Sequence, residues 1–150
     1  MDEKDIKYLT KSLEETYEVS KKAVEIAKEM QNSQALVFGL SGELGSGKTT
    51  FMKGIAKAFG IEDVITSPTF VIEKIYPLEN NKFDKLIHID AYRLNSGEEL
   101  LKLGWKEISE NPKNIIFIEW PEKVQDILPE DVKKIEFKFI DENTREINLK

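Results

Sequence analysis

A glycine-rich stretch between two apolar segments constrains the fold of this chain more than any other feature. The apolar run ALVFGL at 35–40 precedes GELGSGKTT at 42–50, and Phe51, Ile55 and Phe59 follow at helical spacing. An uninterrupted apolar run is typical of a strand buried on both faces, and apolar residues three and four apart indicate a helix. The stretch therefore predicts a strand, a glycine loop and a helix in succession.

The loop fits the pattern of two glycines followed by lysine and a hydroxyl residue, here Gly42, Gly47, Lys48 and Thr49. Glycines let backbone amides approach a polyphosphate, and the following helix offers unpaired N–H groups and the positive end of its dipole. Lys48 adds a charge for the β- and γ-phosphates, and the Thr49 hydroxyl can ligate Mg²⁺. We predict a nucleoside triphosphate site. A glycine-rich turn without a ligand is the alternative, which the matching strand and helix context disfavours.

Two acidic residues end apolar strands elsewhere in the chain. Asp90 follows LIHI and Glu119 follows NIIFI, and ligands of open α/β sheets bind at such carboxyl ends. One acid could act on Mg²⁺ through water and the other on the attacking water or a switch segment. As alternatives, Asp90 could cap a turn and Glu119 could make a structural hydrogen bond beside Trp120. The segment TSPT at 66–69 follows the loop helix, where nucleotide switch segments often lie.

The rest of the chain alternates strands and helices. A capping box of Ser12 and Glu15 opens a helix over Leu13–Met30, and Ser96 with Glu99 opens a shorter one. The remaining strands are predicted at 6–10, 70–76, 85–90 and 114–119, with a terminal hairpin at 132–140 and 145–149. This pattern predicts an α/β fold. We expect a P-loop NTPase-like three-layer sheet with antiparallel edge strands, forming a single P-loop domain over residues 1–150.

Composition excludes several classes of protein. The chain has no cysteine and one histidine, which excludes a disulfide framework and a histidine-rich metal site. A net charge of -6 argues against a protein that mainly grips nucleic acid through its phosphates. No apolar run is long enough to span a bilayer, and the N-terminus lacks the apolar core of a signal peptide. We therefore expect a cytoplasmic protein without a membrane partner.

The identity and use of the nucleotide are less constrained. The tetrapeptide NKFD at 81–84 matches a guanine-recognition motif, but it precedes a strand instead of ending one, so we expect ATP. A small-molecule kinase would need several arginines in a lid, and this chain has only Arg93 and Arg145. Hydrolysis of ATP coupled to a partner fits better. A kinase and a binding module that holds ATP without hydrolysing it remain the alternatives.

Four segments together resemble the bacterial TsaE family, also called YjeE. They are GELGSGKTT at 42–50, TSPTF at 66–70, HIDAYRL at 88–94 and IEWPEK at 118–123, and SLEET at 12–16 and LPED at 128–131 fit more weakly. The resemblance spans nearly the whole chain, and the last three of the four segments are specific to the family. Ser46 and Ala91 depart from its usual residues, with local effects only.

The resemblance implies a small ATPase needed to make N6-threonylcarbamoyladenosine at position 37 of tRNAs that read codons starting with A. Such proteins act on the TsaB–TsaD heterodimer and meet tRNA only through that complex. By this resemblance Lys48 grips phosphate, Thr49 and Glu119 hold Mg²⁺, Asp90 supports ATP hydrolysis and Trp120 neighbours the site. The resemblance also assigns Arg145 and Ser12 to the nucleotide. The remaining nucleotide contacts are expected from Glu43, Leu44, Gly45, Ser46, Gly47, Thr50 and Thr69.

Overall fold

A computed structural model describes residues 6–43, 46–62, 73–79 and 81–150. The strands are β1 Ile6–Thr10, β2 Leu36–Ser41, β3 Glu73–Pro77, β4 Lys85–Asp90, β5 Asn114–Glu119, β6 Lys133–Asp141 and β7 Thr144–Leu149. The helices are α1 Leu13–Glu29, α2 Lys48–Ala58, α3 Gly97–Leu101 and α4 Trp105–Glu110, and two 3₁₀ turns follow at Pro121–Lys123 and Gln125–Ile127. The protein is therefore a mixed α/β structure, as predicted.

The contacts of the chain group into two units. The first comprises the described parts of Met1–Met30, Ser41–Ser67 and Lys134–Lys150, and the second those of Gln31–Leu40 and Pro68–Lys133. The prediction of a single domain stays a prediction, and each unit is described by itself.

The first unit carries an antiparallel set of strands in the order β1, β7, β6. The strands β6 and β7 form the predicted terminal hairpin, with Asp141 opposite Thr144 at its turn. The helices α1 and α2 pack against each other. The ring of Phe51 in α2 meets the ring of Phe137 in β6 edge-on, with centroids 5.2 Å apart. Apolar packing therefore joins α2 to the hairpin.

The close approach of α1 and α2 depends on two small residues. A Cβ on Gly54 would collide with the side chain of Ser20. The Ser20 hydroxyl, which is fully buried, donates to the carbonyl oxygen of Phe51 at 2.9 Å. Glycine is therefore required at position 54 for the observed spacing of the two helices.

The second unit contains a parallel set of strands with one antiparallel edge. The strands lie in the order β2, β5, β4, β3, with β5 parallel to both neighbours and β3 antiparallel to β4. Every residue of β5 is buried, as expected for a central strand of a parallel sheet. The predicted antiparallel edge is confirmed by β3.

The two faces of this parallel set differ in chemistry. Ile87, Ile89, Ile116 and Ile118 point to one face, where they form an apolar cluster with residues such as Trp105. The register of β4 and β5 pairs His88 with Phe117 and Asp90 with Glu119, so these four residues share the opposite face. The strands therefore separate the main apolar cluster of the unit from a row that ends in two acids.

The predicted bounds differ from the structure at several places. Helix α4 was not predicted, because it is six residues long and its N-cap, Gly104, has a left-handed backbone (φ 91°) and no capping side chain. Ser96 is the N-cap of α3, but its hydroxyl accepts no capping hydrogen bond, so the second capping box is wrong in that respect. Residues 66–72 and Asn80 lie outside the described part. Among the described residues, no helix has both the length and the apolar character needed to cross a membrane.

Candidate functional site

The glycine loop joins β2 to α2 as the sequence predicts, with Leu44 and Gly45 outside the described residues. A Cβ on Gly42 would lie 2.6 Å from the carbonyl oxygen of Phe137, so no larger residue fits there. Gly47 is the N-cap of α2 with φ 108°, a left-handed conformation that favours glycine. It supplies no capping side chain, and the first turn of α2 has no acidic residue. The start of α2 is thus suited to an external anion.

The predicted phosphate-binding lysine lies against its own loop. Lys48 is 5% exposed, and its Nζ donates to the carbonyl oxygen of Gly42 at 2.8 Å. Ser46 is also buried, and its Oγ has no hydrogen-bond partner among the residues that the structure describes. Thr49 and Thr50 are half-buried, and Glu43 is exposed. A basic group, a buried hydroxyl and accessible hydroxyls therefore surround the loop.

Arg145 lies beside the loop although it is distant in sequence. Its Cγ would be 3.8 Å from a Cβ on Gly47, and its guanidinium lies 4.5 Å from the ring centroid of Phe139. Its Nη1 donates to the backbone carbonyl oxygens of Asp141 and Thr144. The side chain is therefore anchored on the hairpin and adjacent to Gly47, next to residues predicted to bind the nucleotide.

Ser12 and Thr69 were also predicted to contact the nucleotide. Ser12 is the N-cap of α1, and its Oγ accepts from the backbone N–H of Glu15 at 3.1 Å. Glu15 Oε1 in turn accepts from the N–H of Lys11 at 2.7 Å. The first capping box is confirmed in its main bond, and a nucleotide contact of Ser12 stays a prediction. Thr69 lies outside the described residues.

The second unit brings Asp90 and Glu119 together at the ends of adjacent parallel strands. The two residues are paired in register, and Leu40 of β2 is paired with Glu119 on its other side. Glu119 is 3% exposed, and its Oε2 lies 2.7 Å from Nε2 of His88. Asp90 Oδ1 accepts from the N–H of Tyr92 at 3.0 Å, so the turn-capping interpretation of Asp90 holds for that oxygen.

Trp120 turns the chain sharply after Glu119. Among the described residues, it is the one non-glycine with a positive φ (59°), a conformation that costs of order 1 kcal/mol or more. Its N–H donates to Leu40 at 3.3 Å, and its carbonyl accepts from Lys123 at 3.1 Å. Its ring lies 5.2 Å from that of Tyr92, which is 52% exposed. The turn thus brings two aromatic side chains together, at a tilt of 56°, directly after the acidic strand ends.

Tyr92, Arg93 and Leu94 follow Asp90 closely, and their aromatic and arginine character is typical of anchors for a partner, with a buried tyrosine and a surface ion pair as the alternative. Tyr92 is exposed, so the alternative is wrong for this residue. Leu94 is 3% exposed and belongs to the apolar cluster, so it is not available as an anchor. The guanine motif at 81–84 lies at the amino end of β4, away from the carboxyl ends at which ligands bind.

The predicted Mg²⁺ ligands are the Thr49 hydroxyl and the Glu119 carboxylate. Among the described residues, no three histidine, aspartate or glutamate side chains come together in a group that could hold a metal ion. Mg²⁺ is usually held by one or two carboxylates together with waters and substrate phosphates. The Glu119 carboxylate and the Thr49 hydroxyl are hard oxygen donors of the kind it prefers, so the assignment of both stays a prediction.

Comparison with known proteins identifies the family. A model of the family described as "Threonylcarbamoyl adenosine biosynthesis protein TsaE" matches residues 10–147. The chain belongs to the TsaE family. A TsaE protein of Borreliella burgdorferi is 46% identical over 63% of this chain and 66% of its own length. One of Bacillus subtilis is 35% identical over 97% of this chain and 85% of its own length.

A solved structure supports the same relationship. The crystal structure of Bacillus subtilis YdiB superposes with a TM-score of 0.74 and 30% sequence identity, covering 97% of this chain and 84% of that one. The TsaE resemblance that the sequence motifs indicated is therefore confirmed across nearly the whole chain.

Sequence reasoning missed one residue that the structure of this TsaE-family member places at the strand ends. His88 was used only to exclude a histidine-rich metal site, yet it contacts the carboxylate of Glu119. A signal was present, since His88 and Asp90 are two residues apart on one strand and must share a face. The partner of His88 could not be identified without the register of β4 and β5.

Proposed function

We propose that this chain binds ATP through residues 42–50 and hydrolyses it in support of N6-threonylcarbamoyladenosine formation at position 37 of tRNA. The observation that carries the proposal is the loop itself. A left-handed Gly47 opens α2, and Lys48 reaches back to Gly42 across the loop. Such a loop presents backbone amides and one ammonium group to the same small volume. Membership of the TsaE family supplies the link to tRNA modification.

The amides at the start of α2, Lys48 and Arg145 have distinct chemical roles in this proposal. The amides at the start of α2 bind phosphate oxygens, because the positive end of the helix dipole and the N–H groups there favour an anion. Lys48 exchanges the Gly42 carbonyl for the β- and γ-phosphates, a stronger acceptor. Arg145, held beside Gly47 by the hairpin, contributes positive charge to the same region.

The predicted metal ligands complete the proposal. We propose that Thr49 and Glu119 hold Mg²⁺ with the nucleotide, and that Asp90 orients the attacking water. When bound, Mg²⁺ neutralises charge on the phosphate oxygens. The chain's own contribution is a hydroxyl in the first turn of α2 and a buried carboxylate at the end of β5.

A partner is part of the proposal because the chain is poor in groups that stabilise transferred phosphoryl charge. It has two arginines, and Arg145 already donates to two backbone carbonyls. The net charge of -6 disfavours direct binding of tRNA. We propose that the chain acts on the TsaB–TsaD heterodimer, that hydrolysis is gated by that heterodimer and that tRNA is met only through the complex. Tyr92, which is exposed beside Trp120, is an aromatic group available for such docking.

The test is release of labelled γ-phosphate by the purified chain, alone and with purified TsaB–TsaD. We expect slow release alone, faster release with the heterodimer and none from Lys48→Ala under either condition. Lys53→Ala is the matched control, since Lys53 is an exposed lysine on the same helix. Its release rates are expected to equal those of the unchanged chain.

Two outcomes would replace the proposal with its alternatives. Transfer of the label to a small metabolite instead of water would make the protein a kinase. Binding of ATP without any release, even with TsaB–TsaD present, would make it a regulatory module. Release by the Lys48→Ala variant as fast as by the Lys53→Ala control would remove Lys48 from the reaction.

A further inference from the structure

His88 forms a buried pair with the carboxylate that we propose as a metal ligand. It is the single histidine of the chain and is 1% exposed. Its Nε2 lies 2.7 Å from Oε2 of Glu119, which is 3% exposed. Two polar side chains removed from water to this degree need each other, because a buried polar group without a partner is costly. Because the partner of His88 is Glu119, the proposed metal ligand, the contact indicates a role beyond packing.

The strand register explains how the contact is fixed. His88 is paired with Phe117 in β4 and β5, and Glu119 is two residues further along β5 on the same face. His88 is therefore the diagonal neighbour of Glu119. The ring of Phe117 stacks on that of Phe38 at 4.9 Å, with an interplanar angle of 11°. His88 and Phe117 are thus both buried on paired strands, and the imidazole is enclosed beside Glu119.

The chemistry of the pair assigns a hydrogen to Nε2. Because an ionised carboxylate only accepts hydrogen bonds, we assign the donor role in the contact with Oε2 to the imidazole. Nδ1 of His88 is buried and has no hydrogen-bond partner among the described residues. A hydrogen on Nδ1 would therefore be a buried donor without an acceptor, while Nε2 would lose its bond. The contact favours the ring form with the hydrogen on Nε2.

We propose that His88 is a positioning residue that fixes the Glu119 carboxylate for Mg²⁺ bound with ATP. The inference rests on the proposed function. Donation from Nε2 engages Oε2, which would hold the carboxylate in one orientation for the cation. Groups that hydrogen-bond to a metal ligand in this manner commonly account for a 10–100-fold difference in metal affinity.

The first test needs neither nucleotide nor metal. Because His88 is the only histidine, the imidazole nitrogens of the ¹⁵N-labelled chain give one unambiguous pair of NMR signals. We expect Nε2 to carry a hydrogen in the unchanged chain and its signal to shift in Glu119→Ala. A ring with its hydrogen on Nδ1 alone would overturn the proposal, as would a signal unaffected by Glu119→Ala.

The second test compares binding of a non-hydrolysable ATP analogue with Mg²⁺ and with EDTA. For the unchanged chain we expect Mg²⁺ to tighten binding. The gain is the ratio of the affinity with Mg²⁺ to the affinity in EDTA. His88→Leu should reduce this ratio about 10–100-fold, while the affinity in EDTA stays the same. His88→Gln should keep most of the gain, because its amide nitrogen can donate in place of Nε2. The Gln variant also covers the case in which His88→Leu does not fold.

The outcomes of the second test distinguish the role of His88 from the proposed Mg²⁺ site itself. If the unchanged chain gains nothing from Mg²⁺, the proposed metal site fails and the role of His88 fails with it. If the unchanged chain and His88→Leu gain equally, only the positioning role is refuted. A His88→Gln variant that folds but loses the gain would also refute it, since a donor would then be insufficient.

Discussion

Lys48 donates from Nζ to the carbonyl oxygen of Gly42, so the lysine that ends the glycine loop closes on the residue that begins it. The distance of 2.8 Å is that of a good hydrogen bond. A neutral carbonyl is a weaker partner for an ammonium group than a phosphate oxygen. The lysine is therefore already turned into the loop, where our proposal places the phosphates.

Lys48→Ala is expected to weaken ATP binding with little effect on folding. A hydrogen bond to a charged group contributes about 1.5–3 kcal/mol, which corresponds to an affinity loss of roughly 10–100-fold. Isothermal titration calorimetry with Mg²⁺ and ATP measures the loss, and Lys53→Ala serves as the control. Equal affinities for the two variants would show that Lys48 does not contact the nucleotide.

Gly54→Ala is expected to destabilise the packing of α1 on α2. The added Cβ would collide with Ser20, and overpacking of this kind costs about 1–3 kcal/mol. Urea unfolding gives the change in free energy. Ser20→Gly combined with Gly54→Ala should recover part of the loss, because it removes the side chain that the new methyl group meets. A Gly54→Ala variant as stable as the unchanged chain would contradict the close approach.

Ser12→Ala is expected to lower the free energy of unfolding by about 1 kcal/mol, the usual contribution of a hydroxyl N-cap. The cause is loss of the bond from the N–H of Glu15 to Ser12 Oγ. Ser12→Asp should restore the stability, since a carboxylate caps equally well. Thermal unfolding of the three proteins provides the comparison. Equal stability of Ser12→Ala and the unchanged chain would rule out the cap.

Asp141 is expected to titrate below its ordinary range in the folded chain. The N–H of Asn143 donates to its carboxylate at 2.8 Å, and this bond, with further bonds from Thr144, lowers the pKa from 3.8. A carboxyl group with a lowered folded pKa stabilises the fold above its unfolded pKa, and the contribution is lost as pH falls through the folded pKa. NMR titration of the carboxyl carbon measures the midpoint. A midpoint at or above 3.8 would contradict the turn geometry.

The strands that were predicted with correct bounds have strong local signals. Two apolar runs define β4 and β5 without further information, and these strands end at Asp90 and Glu119. The helix α4 gave no such signal, since a glycine replaces its N-cap side chain and only Trp105 in it is fully buried. Local pattern therefore sufficed for long apolar elements and failed for a short helix held by tertiary contacts.

The residues of the candidate site also fall into those that a local motif predicts and those that depend on tertiary structure. Lys48 and Thr49 were identified from spacing alone, because the loop motif is contiguous in sequence. Arg145 was assigned to the nucleotide by family resemblance alone. Its position beside Gly47 depends on the pairing of the terminal hairpin, which no local pattern shows. The contact of His88 with Glu119 depends on the register of two strands separated by two helices, which no local pattern encodes.

The central claim is that residues 42–50 hold the triphosphate, and backbone amide chemical shifts of the ¹⁵N-labelled chain test it most directly. On titration with Mg²⁺ and a non-hydrolysable ATP analogue, we predict that the largest shifts occur at Ser46, Gly47, Lys48, Thr49 and Thr50. Amides of the loop that stay unmoved while the analogue binds elsewhere, or does not bind at all, would contradict the account.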